Sequence, residues 1–145
     1  MTNINDYNLV EIKGDLFSSD YSIGHCVSAD LRMSQGIAKI FKEKFGRIDT
    51  LRGSGVDVGG ISTLCINGRW IYYLITKRKF HDKPLYSDIE SALLNMKLHA
   101  ELNDVRNIDL PKIGCGLDKM VWDKVKMIIK SVFCDSNIKI RIFHL

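Results

Sequence analysis

Ile108-Asp109-Leu110-Pro111-Lys112-Ile113-Gly114-Cys115-Gly116-Leu117-Asp118 starts as an apolar run and ends as a glycine-spaced loop, and a segment of helical period, Val121 to Phe133, follows it. Strand, loop, helix in that order is the building unit of α/β proteins. Two glycines one residue apart let backbone N–H groups come close to a ligand. The start of the next helix adds positive partial charge, so the place suits an anion such as phosphate. Asp118 stands at the rim, where a carboxylate can act on whatever the loop holds. Read alone, its ordinary role is to cap the helix.

The segments on either side extend the same pattern. Leu9 to Ile12 reads as a short strand running into Gly14-Asp15, a turn by spacing alone. Ile23 to Val27 reads as a buried strand, with His25 as a hydrogen-bonded core residue. A polar loop from Ser28 to Gly36 follows. Met33, Ile37, Ile40, Phe41 and Phe45 then mark one face of a helix, with Lys39, Lys42, Glu43 and Lys44 opposite. This is a second strand–loop–helix passage, so two backbone-donor loops are available. Gly53-Ser54-Gly55 reads as a flexible connection.

Val58 to Ile66 and Arg69 to Ile75 flank Asn67-Gly68, the strongest short hairpin signal. Trp70 to Ile75 is almost wholly apolar, which predicts a strand covered on both faces and ending at Thr76-Lys77. A lysine there is ordinarily solvated or guards an edge. Ser87-Asp88-Ile89-Glu90 reads as a capping box opening a helix that buries Ile89, Ala92, Leu93, Met96 and Ala100. In the last helix Trp122, Val125, Ile129, Val132 and Phe133 share a face. Ile138 to Phe143 alternates strictly and closes the chain as a half-buried strand. The sum predicts a mixed sheet with helices on both faces. The Gly-x-Gly-x-x-Gly and Walker motifs of the common nucleotide folds do not occur.

At 145 residues the chain is one domain's worth. Its 46% hydrophobic and 26% charged content places it among ordinary globular proteins. No run approaches the ~20 apolar residues of a membrane span. Met1 to Asp6 has no basic start and no apolar core, so no secretory signal is expected. Cys26, Cys65, Cys115 and Cys134 show no metal-ligand spacing. Three of them sit in apolar runs and read as small buried residues. Cys115 lies in the glycine loop, where a thiol nucleophile is one reading; no evident Cys–His pairing supports it, which favours a packing role. Together they suggest a reducing, intracellular setting. A net charge of +4, scattered rather than blocked, mildly favours anionic ligands and does not indicate nucleic-acid binding.

Several segments fit one family. Lys13-Gly14-Asp15-Leu16-Phe17 comes first, then His25-Cys26-Val27-Ser28 with Asp30 and Arg32-Met33. Gly36-Ile37-Ala38 and Phe41-Lys42 with Lys44-Phe45-Gly46 follow. Tyr72-Tyr73-Leu74-Ile75-Thr76-Lys77, Lys83-Pro84 and Ile113 to Asp118 complete the set. In these words and their order the chain resembles the macrodomains, and within them the branch of terminal ADP-ribose protein glycohydrolases. The branch usually has glycine just before Gly36, where this chain has Ser34-Gln35. The segment Arg78 to Asp82 also departs in character.

The resemblance implies a single three-layer α/β/α macrodomain over residues 1–145, with a mixed central sheet and an ADP-ribose cleft. It assigns Asp15 to adenine recognition, with Leu16 beside it. Ser28, Lys112, Ile113, Gly114, Cys115, Gly116 and Leu117 match positions that hold the ribose and diphosphate. Leu145 matches a ligand-lining position, and Phe143 adds an apolar wall. Lys77 matches the family's nucleophile and Asp118 its acid–base partner. The implied reaction frees ADP-ribose from acidic side chains of proteins, with O-acyl-ADP-ribose deacylation as a side activity. The implied protein is a monomer in the nucleus or cytoplasm, whose partners are ADP-ribose and ADP-ribosylated proteins, with no cofactor, metal or membrane. Two other readings are a non-catalytic ADP-ribose reader and a basic nucleic-acid module. The presence of both Lys77 and Asp118 speaks against the first. The lack of a basic patch interleaved with aromatics speaks against the second.

Overall fold

A computed structural model describes residues 8–145. The leader reading of Met1 to Asp6 lies outside the described residues. Among the described residues six strands form one sheet: β1 (Leu9–Lys13), β2 (Ser22–Ser28), β3 (Ile61–Ile66), β4 (Arg69–Lys77), β5 (Asn107–Pro111) and β6 (Lys139–His144). Their order across the sheet is β1-β6-β5-β2-β4-β3. All neighbours run parallel except β3 and β4, the expected hairpin. Asn67 (φ 53°) and Gly68 (φ 79°) supply the two positive φ angles that a type I′ turn needs.

Two helices cover each face. Phe41 of α1 (Gly36–Phe45) and Leu51 of α2 (Ile48–Gly53) pack on one side of the sheet. On the other, α3 (Tyr86–Leu102) packs Ile89, Leu93 and Met96, and α4 (Trp122–Phe133) packs Val125, Ile129 and Phe133. β4 feeds both cores by simple alternation: Tyr72 and Leu74 point to the α3/α4 side, Ile71, Tyr73 and Ile75 to the α1/α2 side. The result is the three-layer α/β/α arrangement with a mixed sheet.

Element ends differ from the sequence reading, each for a local reason. The first helix starts at Gly36, because Met33 takes a positive φ of 47° and drops into the core as a loop residue. β3 starts at Ile61, because Asp57 to Gly60 close a turn: the Asp57 carbonyl accepts from the Gly60 N–H at 3.1 Å. The helix at α3 is capped at Leu85, where Asp88 accepts the Leu85 N–H at 3.2 Å, so Ser87 and Glu90 do not form the box. Helix α2 precedes the Gly53-Ser54-Gly55 connection and has no counterpart in the sequence reading; at six residues it is too short to show a period. Ile113 falls just past β5 and is buried all the same. Cys65 is exposed on edge strand β3, whereas Cys26, Cys115 and Cys134 are partly buried.

Candidate functional site

Because five strands are parallel, their carboxyl ends lie along one edge of the sheet, where α/β folds bind ligands. Read along the sheet, that edge carries Asp15 after β1, Leu145 after β6, the Lys112–Asp118 loop after β5, Ser28 ending β2 and Lys77 ending β4. A cleft of about 680 Å³ opens at the β5–β2–β4 part. Ser28, Lys77, Lys112, Ile113, Gly114, Gly116, Leu117 and Asp118 all line it.

The Lys77 Nζ lies 2.6 Å from Asp118 Oδ1, and each side chain is about one-seventh exposed (13% and 15%). The pair is therefore desolvated but open to the cleft. A shift in register puts the amine there. Val27 stands opposite Ile75 but Ser28 opposite Lys77, so Thr76 is an extra residue in β4. A bulge of this kind re-aims the next side chain. Asp118 arrives from a loop tied by internal bonds: Cys115 N–H to Lys112 O at 3.2 Å, Lys119 N–H to Gly116 O at 3.1 Å and Met120 N–H to Gly114 O at 2.8 Å. The N–H groups of Gly116, Leu117 and Asp118 find no backbone acceptor among the described residues and are available to a ligand. Helix α4 begins only at Trp122, with Val121 at its cap, so Asp118 is not the cap. The positive helix end that serves the cleft is that of α1. There Gln35, extended and without a capping side-chain bond, leaves the first-turn N–H groups uncapped. A Cβ on Gly36 would lie 3.6 Å from Leu117 Cδ1, so the two loops face each other across the opening.

The other expected residues sit outside this cleft. Asp15 is exposed and caps a short 3-10 turn, Leu16–Ser18, accepting the Phe17 N–H at 3.0 Å. Leu16 is buried in the α1/α2-side core. Leu145 is almost fully exposed, beside the end of β1, where the Gly14 N–H donates to His144 O at 2.8 Å. Phe143 is buried, and its ring lies against Gly14 and Arg141. Cys115 turns from the cleft to the α3/α4 core, its Sγ 3.4 Å from Ile113 O. Burial raises its thiol pKa.

Sequence reasoning missed Cys26, Phe80 and Lys83 as lining residues and gave Asp30 no role. Cys26 shows up only through the β2–β4 pairing. Burial, helped by the negative charge of Asp118, pushes its thiol up to about 12. Burial opposes the charged form of Asp30. Hydrogen bonds from the Ser28 hydroxyl and from the Phe80 and Arg32 N–H groups outweigh it and hold the carboxyl below its usual range. His25 is fully buried, stacked on Phe41 with ring centroids 3.7 Å apart. Neither ring nitrogen has a hydrogen-bond partner among the described residues, contrary to the expectation of a bonded core histidine. Burial lowers its pKa to about 3, so it is neutral and only a weak base.

No family model matches the chain. The macrodomain of Mycobacterium tuberculosis DarG superposes on it with a TM-score of 0.86 at 18% identity, covering 94% of this chain and 97% of that one. Thermosipho africanus DarTG in complex with ADP-ribose gives a TM-score of 0.82 at 20% identity, over 94% of this chain and 41% of that one. The fold is thus that of a macrodomain. The ADP-ribose glycohydrolase OARD1 of Homo sapiens is 42% identical over 136 residues, 92% of this chain and 90% of that protein. With that relative, the chain belongs to the macrodomain family.

Proposed function

We propose that the protein binds ADP-ribose along this edge and removes it from glutamate or aspartate side chains of modified proteins. The observation that carries the reading is the 2.6 Å contact between Lys77 and Asp118 at one end of the cleft. Two features support the ligand. The uncapped N–H groups of two facing loops suit a diphosphate. From Asp15 to Lys77 the edge spans four interstrand spacings, roughly 19 Å at ~4.8 Å each, room for a molecule with a base at one end and a sugar at the other. Relatives that carry the name ADP-ribose glycohydrolase, and a neighbour solved with ADP-ribose, point the same way.

The chemistry follows from an amine beside a carboxylate. A lysine amine must lose a proton to attack, and Asp118 is in hydrogen-bond contact to take it. The free amine attacks the anomeric carbon of the ribose, a C–N bond forms, and the bond from that carbon to the carboxylate oxygen breaks. The acidic side chain leaves with the electron pair. Water then adds to the anomeric carbon of the adduct and the C–N bond breaks; the proton held by Asp118 returns to the lysine, and the proton the water sheds passes to the departed carboxylate. The sum is ester plus water to ADP-ribose plus carboxylic acid. Splitting the reaction through a covalent adduct replaces one hard step by two easier ones. O-acyl-ADP-ribose esters present the same leaving group and are side substrates under this reading.

The test is release of ADP-ribose from an automodified polymerase by wild type, Lys77→Ala and Asp118→Ala, beside calorimetric binding of ADP-ribose. Each variant is expected to lose about 10²–10⁴-fold in rate while the cleft still binds. Wild type that binds ADP-ribose yet releases it no faster than the variants is a reader, and the enzymatic reading then falls.

A further inference from the structure

Asp30 touches neither Lys77 nor Asp118 through a hydrogen bond, yet its carboxylate ties together the two segments that wall the cleft on the Lys77 side. Oδ1 accepts from the Ser28 hydroxyl and, at 3.3 Å, from the Arg32 N–H; Oδ2 accepts from the Phe80 N–H at 3.2 Å. Backbone bonds run beside it: Ala29 N–H to Lys77 O at 2.8 Å and Asp30 N–H to Arg78 O at 3.2 Å. From behind, Arg52 of α2 donates to the carbonyls of Asp30 and Leu31 at 3.1 and 3.3 Å. In front, the Arg32 guanidinium lies 4.2 Å from the centre of the Phe80 ring.

A serine hydroxyl has one proton and two lone pairs. At Ser28 the proton goes to Asp30, so any further bond to that oxygen is one in which Ser28 accepts. A phosphate oxygen, which only accepts, has no favourable bond to make there. A sugar hydroxyl has. Ser28 also stands directly opposite Lys77 in the strand register. The sugar it meets is therefore the one beside the nucleophile, not the one next to the base.

We propose that Asp30 is a positioning residue that sets the hydrogen-bonding polarity of Ser28, making it an acceptor for a hydroxyl of the terminal ribose, and that anchors the Phe80 segment behind that sugar. The proposal rests on the ADP-ribose reading of the cleft. It predicts discrimination between ADP-ribose and ADP, which lacks the terminal ribose.

Calorimetry of Asp30→Ala, Asp30→Asn, Ser28→Ala and the Ser28→Ala/Asp30→Ala double variant, each with ADP-ribose and with ADP, tests it. Asp30→Ala is expected to weaken ADP-ribose about tenfold and to leave ADP within about twofold, on the scale of one charge-assisted hydrogen bond lost. Ser28→Ala is expected to do the same. The double variant is expected to lose little more than either single, because one interaction serves both residues. Asp30→Asn, which keeps an acceptor oxygen for the Ser28 proton, is expected to recover part of the loss. A general loosening of the wall weakens ADP and ADP-ribose alike, and that result overturns the proposal. So does unchanged ADP-ribose affinity in Asp30→Ala. Wild type that binds no ADP-ribose overturns the parent reading instead, and the polarity assignment with it.

Discussion

At the scale of single residues, charge in the cleft decides which groups are reactive. Lys77 and Asp118 are paired at 2.6 Å, so the amine has a proton acceptor in place before substrate arrives. Cys26 lines the same cleft but is a poor nucleophile, because burial and the Asp118 charge push its thiol up to about 12. Thiolate, not thiol, reacts with alkylating agents. Iodoacetamide at pH 8 is therefore expected to label exposed Cys65 first and to leave Cys26 unmodified over the same interval. Peptide mass spectrometry reads the order, and early labelling of Cys26 contradicts the electrostatics described for the cleft.

At the scale of elements, the loop after β5 carries the site and its shape depends on one glycine. Gly114 has φ +74°, and a Cβ there would lie 3.1 Å from Met120 Sδ and 3.2 Å from Ile89 Cδ1. An L-residue in that conformation costs about 1–2 kcal/mol before any contact is counted. Gly116 has no positive φ, and a Cβ on it meets nothing within 4 Å. Gly114→Ala is expected to lower the unfolding free energy by about 1–2 kcal/mol and to weaken ADP-ribose. Gly116→Ala is expected to stay within about 0.5 kcal/mol of wild type, as for an exposed position. Urea denaturation of the two variants side by side checks the difference.

At the scale of the whole molecule, the buried neutral histidine couples stability to pH. The pKa of His25 falls from an ordinary 6.5 to about 3 in the fold, through burial. Between those values the unfolded chain binds a proton that the native one does not. Stability from this group is thus complete above about pH 6.5 and is lost as pH falls towards 3. The slope is up to roughly 1.4 kcal/mol per pH unit for one such group. His99, also lowered by burial, acts in the same sense. Urea midpoints measured from pH 7 to pH 4.5 are expected to fall in wild type, and to fall less steeply in His25→Leu. An unchanged slope in the variant contradicts a neutral buried His25.

Much of the fold was legible in the residues because the signals are short-range. Alternation in Ile138 to Phe143, the helical face of Ile89 to Ala100 and the Asn67-Gly68 turn each report on neighbours within a few positions. The boundaries at Met33, Val58 and Ser87 misled for the complementary reason. A positive φ, a turn closed by Asp57 and a cap supplied by Asp88 belong to the folded backbone rather than to a period. Resemblance to a family put Lys77 and Asp118 in one site. Their contact across 41 positions of chain, however, depends on β2 lying between β4 and β5, and strand order is not written in any local pattern. The same holds for the wiring of Ser28 and Phe80 to Asp30, and for the unpartnered His25 nitrogens. Sequence determined which elements form and which chemistry they carry, since periodicity and side-chain type are local properties. Tertiary structure alone decided which groups meet, which lose their water and which proton goes where, because those depend on distance and burial in three dimensions.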